Sequence, residues 1–138
     1  MARFFKLCLF LCITVVFFSG CASDEEKKLK HFNKGKAYFE EGEYKSARLE
    51  FKNAIQIDPE FAEAYHLLGK TNMEIGKPQD AFKAFSMASK FDPDNIEAHL
   101  KLATFYLLGR QLDKAMEKVD IALEKEPDNI HEKLLASL

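Results

Sequence analysis

Residues 62–95 read AEAYHLLGKTNMEIGKPQDAFKAFSMASKFDPDN, and the flanking sequence repeats this stretch in register on both sides. Its skeleton is Tyr65, Leu68, Gly69, Gly76, Ala81, Phe85, Ala88 and Pro93. Thirty-four residues earlier the same positions hold His31, Lys34, Gly35, Gly42, Ala47, Phe51, Ala54 and Pro59. Thirty-four later they hold His99, Leu102, Ala103, Arg110, Ala115, Val119, Ala122 and Pro127. A fixed period of this length marks a stacked array, in which each unit buries its apolar side only against its neighbours. The copies run 28–61, 62–95 and 96–129. In each, two apolar-periodic runs flank a short break, and an acidic residue followed by proline closes the unit. Proline cannot continue a helical ladder and disfavours a helical residue before it. The pattern is therefore helix A, turn, helix B, stop.

In copy one, helix A is expected over about residues 28–41 and helix B over about 44–57, with Gly42 supplying the positive φ of a helix end. Copy two breaks at Gly76, and Pro78 suits a first helical position. Copy three is expected to break at Gly109, one position early, because Arg110 occupies the usual glycine position. Gly35, Gly69 and Ala103 on helix A face Ala47, Ala81 and Ala115 on helix B, with Phe51, Phe85 and Val119 filling the space between. Ile130, Leu134, Leu135 and Leu138 restart the pattern, so residues 130–138 read as the start of a further helix A or a short cap.

On Leu68-Gly69, Ala81, Phe85, Ala88 and Pro93, and on Gly35, Tyr38, Ala47, Phe51, Ala54 and Pro59, the units resemble tetratricopeptide repeats. The resemblance implies a right-handed α-solenoid of three repeats plus a partial fourth helix, hence an all-α fold. There are departures: Asn72 stands where the other copies have Tyr38 and Tyr106, and Ala103 and Val119 replace the Gly and Phe. In such arrays helix A lines a concave groove for a protein or peptide. Carried over position by position, the resemblance offers Phe32, Lys36 and Phe39 from copy one, His66, Lys70 and Met73 from copy two, and Leu100, Thr104 and Leu107 from copy three. Position 12 of the unit is apolar in all three copies (Phe39, Met73, Leu107), and position 9 is basic in two (Lys36, Lys70). This suits a peptide with apolar anchors and a carboxylate or two. The lysine–asparagine pattern of chaperone-tail clamps is not met, since Phe32 and Lys36 stand at those positions.

The N-terminus carries a second signal. Arg3 and Lys6 precede an apolar run at 7–18, broken only by Thr14, and Ser19-Gly20 precede Cys21. This is the layout of a secretory signal peptide, too short for a membrane span. Phe18-Ser19-Gly20-Cys21 resembles a bacterial lipobox, which implies cleavage after residue 20 and acylation of Cys21. Two or more acyl chains give stable insertion in a lipid bilayer. Residues 21–27 then read as the lipidated cysteine and a polar tether reaching about 20 Å. Ala22 rather than Asp after the cysteine favours, by resemblance, the periplasmic face of the outer membrane in a Gram-negative cell.

Composition narrows the rest. The chain has 138 residues, 20 basic and 22 acidic side chains and a net charge of −2. Loss of Arg3 and Lys6 with the leader leaves 18 basic against 22 acidic, or −4. A weakly acidic body without a basic block argues against nucleic acid. Cys8 and Cys12 fall in the leader, so Cys21 has no intrachain disulfide partner. There is no phosphate loop, nucleophile elbow or His-Glu-x-x-His motif, and His31, His66, His99 and His131 lack metal-ligand spacing. No enzyme, cofactor or metal site is expected. The reading is a membrane-tethered adaptor of the cell envelope, similar to the repeat lipoproteins of type IV pilus assembly and of PEP-CTERM/exosortase systems. The alternative is the N-terminal part of a larger enzyme or exporter subunit.

Overall fold

The structure, a computed structural model, describes residues 23–125. Among these residues there are six helices and no strand: α1 (residues 23–40), α2 (Tyr44–Ile57), α3 (Ala62–Glu74), α4 (Pro78–Phe91), α5 (Ile96–Leu108) and α6 (Leu112–Lys125). Helix packs on helix in chain order, α3 on α4 and α5 on α6 within copies, α2 on α3 and α4 on α5 between them. The expected leader, Cys21 and the segment 130–138 lie outside the described residues.

The three A–B turns share one geometry. Gly42 and Gly76 take φ of 77° and 70°, and Arg110 takes 56°. Each of these residues donates its N–H to the carbonyl three residues back, Phe39, Met73 and Leu107, at 3.1, 3.0 and 3.0 Å. The next N–H, of Glu43, Lys77 and Gln111, reaches Tyr38, Asn72 and Tyr106 at 2.8 Å in each case. These paired, nested bonds satisfy carbonyls that the helix end would leave bare. The expected early break at Gly109 is therefore corrected: Gly109 has φ −79° and remains on the right-handed side. Packing of the repeat sets the register, and Arg110 absorbs the left-handed strain, a cost of about 1 kcal/mol for a non-glycine residue.

The close approach of helix A to helix B is equally regular. A Cβ placed on Gly35 would sit 2.7 Å from the Phe51 ring, and one on Gly69 would sit 2.7 Å from the Phe85 ring. Both rings are fully buried. In copy three Ala103 has its Cβ because the smaller Val119 leaves room for it, so the two departures compensate in volume.

The Asn72 departure has a similar explanation. Asn72 is buried and its Oδ1 accepts from Arg48 Nε at 2.9 Å, while an Arg48 terminal nitrogen lies 3.2 Å from Asp80 Oδ2. At the next interface the same three positions hold Phe82, Tyr106 and Lys114. Phe82 meets Tyr106 edge-on at 5.5 Å, and the Lys114 ammonium lies 5.5 Å from the Tyr106 ring centre. A polar trio in one interface is exchanged as a set for an aromatic–cation trio in the other. That keeps the buried Asn72 amide partnered.

One boundary differs from expectation. Residues 22–27 were expected as a polar tether before the first helix, but α1 already begins at 23. Asp24, Glu25 and Glu26 sit at the positive end of the helix dipole. Lys27 pairs with Asp24 at 3.2 Å and Lys28 with Glu25 at 2.7 Å, each three residues apart on the helix surface.

Candidate functional site

The helix-A residues divide sharply by burial. At position 5, Phe32 and Leu100 are 4% and 1% exposed, and His66 is buried as well. Phe32 packs its ring against Phe61 at 4.7 Å and Phe51 at 5.9 Å, and Leu100 packs with Ile96 and Ala122. Phe32 and Leu100 are core, and the expectation that they line a groove is corrected; His66 packs on Phe85 but keeps its Nε2 edge towards Glu97. Their position on helix A turns them towards helix B of the same copy.

Position 12 keeps the expected character. Met73 and Leu107 are 45% and 51% exposed, and Phe39 is half-buried with its edge on Tyr44 at 5.4 Å. All three sit in the last turn of their A helices, where the helix C-terminal bonds hold the backbone. The apolar row continues into an open groove of about 450 Å³ between α5 and α6, lined by Thr104, Leu107, Leu112, Met116 and Val119. In copy two the corresponding side is covered by α5, where Ala98 and Leu102 pack with Ala81, Phe85 and Ala88.

Position 9 is varied. Lys36 is exposed, with its ammonium 5.5 Å from the Phe32 ring centre. Thr104 turns its hydroxyl back to the Leu100 carbonyl at 3.0 Å. Lys70 lies 3.2 Å from Glu97 Oε1, and Glu97 Oε2 lies 3.2 Å from His66 Nε2. Glu97, in the first turn of α5, thus bridges two cationic or donor groups on α3. This contact also shows that the A helices of adjacent copies lie side by side.

The His66 contact, with smaller help from Lys70, pulls the Glu97 carboxyl down from 4.5 to about 2 although partial burial opposes it. A carboxyl depressed on folding stabilises the fold above its unfolded pKa and loses that contribution as acid protonates it. The window here is about pH 4.5 down to about 2. Glu97→Gln should therefore flatten the acid limb of the stability curve, read by urea midpoints between those pH values. A mutant limb parallel to wild type would show that the bridge is absent in solution.

A second carboxylate is tied within copy one. Glu50 lies 2.6 Å from His31 Nδ1 and 2.6 Å from Lys34 Nζ. Burial pushes the Glu50 carboxyl up, but Lys34 and His31 outweigh it and hold it below its usual range. His99 is buried and its Nε2 donates to the Pro93 carbonyl at 3.1 Å, and burial pushes its pKa down. None of these groups forms a catalytic constellation. Among the described residues no three His, Cys, Asp or Glu side chains gather as a metal site, and no helix is long and apolar enough to cross a membrane. Sequence reading gave neither Glu97 nor Glu50 its bridging role. Their signal was an acidic residue at a position held by Glu63 or Ala84 in copy two, visible only once the neighbouring helix is placed.

Comparison with known proteins agrees with this geometry. A TPR repeat model matches residues 35–76 and a tetratricopeptide repeat model matches 72–138. No curated protein matches the chain significantly. The first TPR of Spaghetti (RPAP3), bound to the HSP90 peptide SRMEEVD, superposes with a TM-score of 0.70 at 20% identity, covering 81% of this chain and 90% of that one. The Arabidopsis OM64 TPR domain gives 0.69 at 21%, covering 83% and 99%. MamA gives 0.69 at 24%, covering 88% and 72%. The chain carries tetratricopeptide repeats folded as an all-α solenoid, a fold that serves as a protein-interaction scaffold.

Proposed function

We propose that this chain is a non-enzymatic adaptor of the bacterial cell envelope, anchored by lipid on Cys21, that holds a partner peptide along its helix-A face. The observation that carries the binding half is the row of Phe39, Met73 and Leu107. Large apolar side chains at the same place on successive A helices, left open to solvent in two of three copies, are what an extended peptide uses as anchor sites. Similar folds support the peptide reading: Spaghetti is bound to an HSP90 peptide, and the yeast Sti1 TPR2B domain is in complex with pHsp70. The anchoring half rests on the run at 7–18 and on Ser19-Gly20-Cys21. A role in assembling or exporting surface structures follows from the resemblance to repeat lipoproteins.

A photo-crosslinking residue placed at Met73 or Leu107 in intact cells tests the binding half. Each should capture the same discrete partner, and the same group at exposed Lys83 on α4 should not. Capture of that partner from Lys83 alone would overturn the assignment of the face.

A further inference from the structure

The helix-A face carries more open negative than open positive charge. Glu40, Glu63, Glu74 and Glu97 are all exposed on it. Of its three lysines, Lys70 already faces Glu97, Lys36 lies over the Phe32 ring and Lys101 is partly buried. His66 is buried except along the edge that meets Glu97, and its Nδ1 has no hydrogen-bond partner. The two groups on α3 best placed to receive a partner's carboxylate are thus already occupied by a carboxylate of the chain itself. The Glu97 side chain is 47% exposed, so an arriving acidic group would meet its charge directly. Like charges brought together at an interface repel, and partner choice commonly rests on such a repulsive element.

We propose that Glu97 sets the charge selectivity of the helix-A face: by holding His66 and Lys70 it excludes acidic peptides and directs the face to a peptide with apolar anchors and basic side chains. The inference rests on the reading of this face as the binding face. It replaces the expectation from sequence that Lys36 and Lys70 receive a carboxylate from the partner.

Three short fluorescein-labelled peptides test it, sharing leucine anchors and carrying Glu, Gln or Lys at the remaining positions. Anisotropy should rank wild type Lys tightest and Glu weakest. Glu97→Ala frees both donors, so the Glu peptide should bind about tenfold tighter than to wild type, with the gain lost at high salt, and the Lys peptide should bind more weakly. Glu97→Gln, which keeps the side chain's size, should give a smaller gain in the same direction. Glu63→Gln, an open carboxylate away from the bridge, should change Glu-peptide binding by less than about twofold. No gain for the Glu peptide in Glu97→Ala, or an equal gain for the Gln peptide, overturns the proposal. The two readings separate cleanly. If Glu97→Ala gains the acidic peptide but Met73→Ala and Leu107→Ala change nothing, the charge assignment stands and the binding face is wrong. If Met73→Ala and Leu107→Ala weaken binding while Glu97→Ala leaves the ranking intact, the face stands and Glu97 has no selective role.

Discussion

Phe85→Ala should lower the stability of the array by about 3–5 kcal/mol, the usual cost of removing a buried aromatic ring. Phe85 is fully buried, within 2.7 Å of the Cβ position of Gly69, and its ring meets His66 at 5.8 Å and Phe105 at 6.4 Å. It therefore joins copy two internally and also ties it to copy three. Domains of this size have about 5–15 kcal/mol in total, so the loss is a large share. Because repeats are coupled mainly to their neighbours, the mutant should also unfold over a broader urea range. Circular dichroism during urea titration reads both effects. A loss below about 1 kcal/mol would mean that the Gly69–Phe85 contact is not the packing element described.

Cys21→Ser should abolish acylation altogether. Without a thiol there is no site for the acyl chains, and the remaining leader is too short to span the bilayer. Labelled palmitate should enter the wild-type protein and be absent from the mutant, which should accumulate unprocessed or leave the membrane fraction. Equal labelling of the two proteins would end the lipoprotein reading and with it the proposed place in the envelope.

The repeat skeleton was legible because it is written in residue size. Gly35 opposite Phe51 and Gly69 opposite Phe85 are volume pairs, and the sequence shows both members at a constant offset. The proline stops and the glycine turns were legible for the same reason, since each restricts the backbone by itself. Arg110 was misread because its left-handed conformation is imposed by the register of flanking helices, which outweighs the local preference for Gly109. The start of α1 was misread because a charged stretch reads as tether until its i,i+3 pairs and its place at the helix dipole are seen.

The site was less legible than the fold. Periodicity places Phe32, Phe39, His66, Met73, Leu100 and Leu107 on the same helices, but position 5 turns towards helix B and position 12 does not. That division depends on helix crossing, which spacing along one helix does not specify. The bridging role of Glu97 was invisible for a related reason. Its partners His66 and Lys70 lie 31 and 27 residues back along the chain, on a helix that becomes its neighbour only in the folded stack.

The central claim is that the apolar row on the A helices is what the partner binds. It is tested most directly by the affinity of the crosslinked partner, once purified, for wild type, Met73→Ala, Leu107→Ala and Lys83→Glu. The account predicts that each alanine weakens binding by about 1–2 kcal/mol, as hot-spot truncations do, with helicity and melting temperature unchanged, and that Lys83→Glu has no effect. Loss of binding in Lys83→Glu with both alanine variants at wild-type affinity would contradict it.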